Sequence, residues 1–367
     1  MATVIVGIVV GVCGFLVSAG GTVLVRRGAV RRDFVARPVA DRYHRTIIPL
    51  GGGIAIFWTM ALLLGGGLAV TAWAEVLGLE KILGEGLMVH REGFLDTAGV
   101  LGVVLGCAAV LHVMGLVDDV KGLGWGVKLG VQFAAAFAAA YFGDVRVELF
   151  IESRVVTAGL SAFWIVLIIN AFNFLDNMDG LSAGIAFIAT GVLLVAAVYS
   201  EQFFVGALAI AFMGALGGFL WHNFPPAKIF MGDAGSLVVG FFVATLTLKT
   251  TYYHEETGGG LYAVFMPLVV MAVPLYDFIS VTVLRISQGK SPFVGDTQHF
   301  SHRLKRRGLS DVQTAGTLYL ATLCTGIGAI FLWQVDIAGA VLIFAQTVMI
   351  LAIIAIMEAT GKGNAEG

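Results

Sequence analysis

Aspartate, asparagine and histidine gather in four short runs of this sequence, each where a long apolar stretch meets polar chain. The first is Asp118-Asp119, which follows an apolar run ending at Val117 and precedes Lys121. Alone, such a pair would be a solvated helix end with an exposed ion pair. The second is Asn170-Ala-Phe-Asn173-Phe-Leu-Asp176-Asn-Met-Asp179-Gly180. Asn173, Asp176 and Asp179 fall three apart and share one face if the segment is helical. The third, Phe230-Met-Gly232-Asp233-Ala-Gly-Ser236, enters an apolar stretch with its glycines, Asp233 and Ser236 at the helix start. Free N–H groups there suit phosphate oxygens, although Asp233 would also serve as a plain N-cap. The fourth, Asp296-Thr-Gln-His299-Phe-Ser-His302-Arg303-Leu-Lys-Arg-Arg, puts two histidines beside four cations. It reads as a clamp for a diphosphate or nucleotide, or as a basic anchor on anionic lipid headgroups.

Several carboxylates at one membrane depth are costly unless paired or metal-bound, so together they point to a functional site. Oxygen donors without a cysteine cluster favour Mg²⁺, with Mn²⁺ as the alternative, over zinc, and Mg²⁺ commonly bridges carboxylates to substrate phosphates. Asp277 is a further acid inside an apolar run, with Arg285 as its expected salt-bridge partner. No chemistry is assigned to His90, His112, His222 or His254.

The elements that must carry these residues are membrane helices. Hydrophobic residues make up 58% of the 367 positions and charged residues 13%, against about 45–50% apolar in soluble domains. A span needs roughly 20 apolar residues, and on that template eleven candidates appear: 3–25, 49–73, 97–117, 127–143, 157–173, 181–200, 203–222, 235–252, 261–284, 314–333 and 337–357. The first lacks a basic leader and a small-residue cleavage site, so it is expected to stay as a span. Seven arginines lie in 26–48 and six basic residues in 285–313, while Glu75, Glu80, Glu85 and Glu92, and Glu255 with Glu256, lie in opposite loops. The basic loops should be cytoplasmic, which puts the N-terminus outside, the C-terminus inside and all four runs on the inner face. The expected fold is all-α, one polytopic membrane domain over residues 1–367. A net charge of −2 gives no basic field for nucleic acid. Cys13, Cys107 and Cys324 lie far apart inside apolar runs and read as membrane-buried fillers.

Taken together, Asp118-Asp119-Val-Lys121, the run from Asn170 to Gly180 and Met231-Gly-Asp-Ala-Gly-Ser236 resemble the polyprenyl-phosphate N-acetylhexosamine-1-phosphate transferases, the family that includes phospho-MurNAc-pentapeptide translocase. Arg42-Tyr-His44-Arg-Thr-Ile-Ile-Pro49-Leu-Gly-Gly52 resembles the early cytoplasmic segment of that family, and the likeness spans about residues 33–310. Two departures stand out. Asn177 replaces the usual glycine, and Ser301 replaces one histidine of the H-x-H-H pattern of the GlcNAc-1-phosphate branch, so Ser301→His should be tolerated if the loop aligns with that pattern.

The resemblance implies attack of undecaprenyl phosphate on the β-phosphorus of a UDP-sugar, with UMP released and a cell-envelope glycan begun at the cytoplasmic face of the inner membrane. It implies Mg²⁺ on Asp119, Asp176 and Asp233, with Asp118 and Asp179 also catalytic. Substrate contacts fall to His44, Lys121, Asn170, Asn173, Gly232, Ser236, Asp296, His299, His302 and Arg303. Asp119→Asn and Asp233→Asn should then abolish turnover without unfolding the protein. UDP-sugar, polyprenyl phosphate and membrane lipid are the implied partners, and a homodimer is allowed. Phospho-MurNAc-pentapeptide transfer is the runner-up, argued down by the loop around His299. A CDP-alcohol phosphatidyltransferase would need an arginine where Gly184 stands. An ion-coupled transporter would place its acids near mid-membrane on broken helices.

Overall fold

The computed structural model describes residues 2–37, 47–74, 76, 78, 88, 91–147, 151–250, 261–292 and 298–359. Regular structure within them is helical except for one antiparallel pair, β1 (Val35–Ala36) with β2 (Ile48–Pro49). Helix is the expected outcome for an apolar chain in lipid, because each backbone N–H and C=O finds its partner inside its own segment. The helices are α1 (Ala2–Arg31), α2 (Gly52–Trp73), α3 (Arg91–Asp96), α4 (Ala98–Lys121), α5 (Trp125–Phe142), α6 (Arg154–Leu175), α7 (Leu181–Tyr199) and α8 (Phe203–Asn223). Then come α9 (Asp233–Lys249), a 3₁₀ turn (Leu261–Phe265), α10 (Met266–Val270), α11 (Ala272–Ser287), α12 (Phe300–Arg306), α13 (Asp311–Phe331) and α14 (Ile337–Ala359).

Among the described residues, eight helices are long and apolar enough to cross a membrane: α1, α2, α4, α6, α7, α8, α13 and α14. The stretch Leu261–Val270 followed by α11 makes a ninth if taken as one span, bent by 65°. Pro274 accounts for the bend, since its ring nitrogen cannot donate to the carbonyl four residues back, at Val270. The predicted spans 127–143 and 235–252 fall on α5 and α9, of 18 and 17 residues.

α9 lies at the centre, against α6, α4, α2 and α7. Residues 234–247 of it are all buried, as expected of a helix that is apolar all round. Glycines admit its first turn. A Cβ on Gly53 would stand 2.3 Å from Gly235, and one on Gly115 would stand 2.4 Å from Ala234. α2 and α4 therefore clasp α9 where Asp233 begins it. The incoming chain is stitched to the start of α2: Phe230 N–H donates to Pro49 at 2.8 Å, Gly52 to Phe230 at 2.9 Å and Gly53 to Met231 at 3.0 Å. His112 of α4, stacked on Phe57, lies 3.0 Å from the Ala234 carbonyl by Nδ1 and adds a side-chain tie.

Candidate active site

Asp118 and Asp119 are neighbours with separate jobs. Asp118 is buried; it accepts from the Leu123 amide at 2.6 Å and from Lys128 Nζ at 2.7 Å. A left-handed turn at Gly122 (φ 65°) brings α5 back so that Lys128, in its first turn, reaches this corner. The same ammonium stands 3.5 Å from Asp233 Oδ2. The cation beside the acids is thus Lys128, and Lys121 is exposed at the helix end. Lys128 escaped the sequence reading because it lies ten residues past Asp118, on another helix.

Asp119 caps α9 from outside it: Oδ1 accepts from Asp233 N–H at 2.8 Å and Oδ2 from Ala234 N–H at 3.2 Å. Gly232 makes the approach feasible, because its φ is +75° and a Cβ there would stand 2.6 Å from Asp119 Oδ2. The next two amides, of Gly235 and Ser236, both donate to the Gly232 carbonyl at 3.0 Å. The expectation that the start of α9 presents free N–H groups to phosphate is therefore corrected. All four amides are in use, the first two by a carboxylate from another helix.

The run from Asn170 to Gly180 is also revised. α6 ends at Leu175, and residues 176–180 form a turn closed by Gly180 (φ 72°), so the three-residue spacing is not a helical face. The Asn223 side chain accepts from the Gly180 amide at 3.0 Å, and Tyr319 donates to the Gly180 carbonyl at 2.6 Å. Asn173 reaches across to Asp233 (3.1 Å) and to the buried Ser236 hydroxyl (2.9 Å). Asn170 faces elsewhere, bonding Gln132 of α5 at 2.7 Å, which joins two helices rather than lining the cluster. Asp179 accepts from the Ala227 amide at 2.8 Å.

Asp176 sits where the negative charge is least balanced. Burial pushes its carboxyl well above the usual range, and the charges of Asp233, Asp119 and Asp179 push the same way, against a single amide bond from Gly232. Half-buried like charges of this kind favour a bound cation. Among the described residues, no three His, Cys, Asp or Glu side chains are grouped to hold a metal ion unaided. Mg²⁺ is usually held by one or two carboxylates together with substrate phosphates. Asp176 and Asp233 are the carboxylates with most capacity left for such an ion: Asp118 and Asp119 each accept two hydrogen bonds, whereas Asp233 accepts one from Asn173 and has Lys128 at 3.5 Å.

The basic loop is braced by the protein itself. His299 and His302 are buried, with ring centroids 6.1 Å apart. Burial, with positive charge from His299 and Lys305, lowers the pKa of His302 to about 4. Arg303, expected to hold substrate, donates to the Gln298 carbonyl at 2.7 Å and to Ser280 at 3.0 Å, and pairs with Glu358 at 2.9 Å. It links α11, α12 and α14 instead. Ser301 is fully buried and donates to Asn177 Oδ1 at 2.6 Å. The two departures from the family pattern thus touch, and a lone histidine at 301 would collide with the amide it now bonds, contrary to the tolerance expected. His44 and Asp296 lie outside the described residues.

Residues 101–251 match the family model described as Glycosyl transferase family 4. Over 344 residues the chain is 30% identical to the decaprenyl-phosphate N-acetylglucosaminephosphotransferase of Mycobacterium leprae (strain TN), covering 87% of this chain and 82% of that one. It is 29% identical over 351 residues to a Bacillus subtilis (strain 168) protein named "Probable undecaprenyl-phosphate N-acetylglucosaminyl 1-phosphate transferase", covering 94% and 89%. It is 27% identical over 333 residues to the undecaprenyl-phosphate alpha-N-acetylglucosaminyl 1-phosphate transferase of Yersinia pestis, covering 86% and 82%. The class is that of membrane-embedded sugar-phosphate transferases. Within it, the chain belongs to glycosyl transferase family 4, with the polyprenyl-phosphate N-acetylglucosaminyl 1-phosphate transferases.

Proposed function

We propose that this chain transfers N-acetylglucosamine 1-phosphate from UDP-N-acetylglucosamine to undecaprenyl phosphate at the cytoplasmic face of the cell membrane. An oxygen of the lipid phosphate attacks the phosphorus that bears the sugar. The bond from that phosphorus to the uridylate oxygen breaks, and UMP leaves with the electron pair. The observation that carries this reading is the surplus of carboxylate charge around Asp176, in a site whose relatives are named for transfer to polyprenyl phosphates.

Phosphoryl transfer asks for positioning and charge neutralisation more than for covalent help. Mg²⁺ on Asp176 and Asp233 would neutralise the diphosphate and ease departure of UMP. Asp119 fixes the first turn of α9 and so the direction of Asp233. Lys128, held between Asp118 and Asp233, offers an ammonium to the incoming lipid phosphate. Asp118 orients that ammonium, and a phosphate already largely ionised at neutral pH needs no base. Asn173 steadies Asp233, and the loop of His299 and His302 closes the site over the donor. α5 and α9 count as short crossings in this reading, giving eleven spans with the N-terminus outside. The arginines between α1 and α2 and the cations of α12 are then cytoplasmic.

The test is UMP release by purified protein in detergent, with Mg²⁺ and undecaprenyl phosphate, across UDP-GlcNAc, UDP-GalNAc and UDP-MurNAc-pentapeptide. Lipid-dependent UMP from UDP-GlcNAc is expected. Release only from another donor would correct the sugar, and silence with all three from folded protein would overturn the reaction.

A further inference from the structure

One buried acid lies outside the cluster and is not among the residues assigned to the transfer so far. Asp277 lies in the second turn of α11 with no exposed surface. Its sequence position suggests Arg285 as partner, yet the carboxylate is engaged by the histidine loop. Oδ2 lies 2.8 Å from His299 Nδ1, and Oδ1 accepts from the Phe300 amide at 2.9 Å. A carboxylate accepts from a ring N–H, so Nδ1 carries a proton; Nε2 is the nitrogen left to a ligand, and it must carry a proton as well to donate to a phosphate oxygen. Two bonds to consecutive residues fix both the start of α12 and the direction of the imidazole.

A second set of contacts ties that imidazole to the acidic turn. The His299 ring packs edge-on against Phe174, with centroids 5.5 Å apart and planes at 87°. Phe174 stands two residues before Asp176, and the Arg285 guanidinium covers its ring at 4.9 Å. Arg285 is itself buried and donates to the Pro292 carbonyl at 2.8 Å. α11 thus holds His299 by Asp277 and steadies the aromatic residue beside it by Arg285, eight residues or about 12 Å further along the helix.

We propose that Asp277 is a positioning residue for the transfer: it holds His299 by Nδ1 so that Nε2 meets the donor's diphosphate. The proposal rests on the reading of His299 as a phosphate-binding residue.

Asp277→Asn is the discriminating variant. Its side-chain oxygen can still accept from Phe300, but its NH₂ faces His299 Nδ1 and cannot accept the proton there, so a ring protonated at both nitrogens loses the partner that holds it. With UDP-GlcNAc as donor, kcat is expected to fall about 10²-fold, the scale of a misplaced catalytic contact, while the melting temperature in detergent stays near that of the wild type. In a His299→Ala background the same change should cost less than about threefold, because residues that act as a unit are not additive. Full activity of D277N, or an equal loss in both backgrounds, would overturn the proposal. Full activity of folded H299A would sink the reading of His299 itself, while the outcome of the UMP assay would stand. If D277N does not fold, ¹⁵N shifts of the histidines in the wild-type protein decide, with His299 assigned by its loss in H299A. A protonated Nδ1 is expected, and a ring protonated only at Nε2 rejects the proposal.

Discussion

The acidic and basic halves of the site look alike in sequence, as polar residues closing apolar runs, but the structure satisfies them differently. On the basic side the charges are answered from within the protein. Asp277 is bonded by His299 and Phe300, Arg303 by Gln298, Ser280 and Glu358, and Ser301 by Asn177. On the acidic side Asp118 is answered by Lys128 and Asp119 by two amides, while Asp176 keeps mainly like-charged neighbours. A braced region resists change through packing. An unbalanced one stores unfavourable charge that a ligand can relieve, so removing the charge of Asp176 should raise stability, whereas substituting a bonded group in either half should lower it.

The largest effects belong to the unbalanced half. Asp176→Asn and Asp233→Asn should each lower UMP release roughly 10³-fold or more, the scale of losing electrostatic stabilisation at a transferring group. D176N should also melt above the wild type in Mg²⁺-free buffer, because it removes a half-buried carboxylate that Asp119, Asp179 and Asp233 oppose. Melting below the wild type would show that Asp176 is already neutralised. Asp119→Asn differs. An amide accepts through one atom only, so it cannot satisfy both the Asp233 and Ala234 amides, and the variant should lose stability as well as turnover. The sequence-based expectation of an intact fold is therefore kept as the prediction for Asp233→Asn and replaced by a loss of stability for Asp119→Asn.

Lys128 and Lys121 test which cation serves the cluster. Lys128→Met leaves Asp118 and Asp233 facing each other without an ammonium, and a loss of about 10²-fold in kcat/KM is expected, in line with removal of one charged contact. Lys121→Ala should stay within about threefold of the wild type, as surface charges usually do. A reversed ranking in the same assay would move the phosphate contact to the end of α4.

Hydropathy located the eight described helices long and apolar enough to cross a membrane, because a segment in lipid must be long, apolar and internally bonded, and the acidic runs fell at helix ends. What stayed hidden is how the side chains choose partners across helices. Asp119 caps a helix more than a hundred residues away, so no local pattern around Asp233 shows that its amide is spent. The three-residue spacing of Asn173, Asp176 and Asp179 looked helical, yet Gly180 takes up a left-handed conformation and ends the segment in a turn. Asn170 matched the motif by position, but the side chain opposite it, Gln132 of α5, decides where it points. Asp277 was legible as a buried acid and illegible as a partner, since Arg285 is eight residues away in sequence and His299, the partner it has, is twenty-two.

The smallest effect, and the one that sharpens the contrast between halves, lies where they join. Ser301 of α12 donates to Asn177 of the acidic turn across 124 positions of sequence, and Ser301 has no exposed surface. Ser301→His alone should therefore overpack the junction and cost about 1–3 kcal/mol, read as a lower melting temperature with a matching fall in activity. Asn177→Gly alone should cost less, since it removes a hydrogen bond and leaves room. In the double variant the imidazole takes the volume the amide vacates, and most of the stability lost to Ser301→His should return. The coupling energy from the four melting curves is the measurement. Simple additivity would mean that the two departures from the family pattern arose independently, and that the halves of the site meet here without depending on each other.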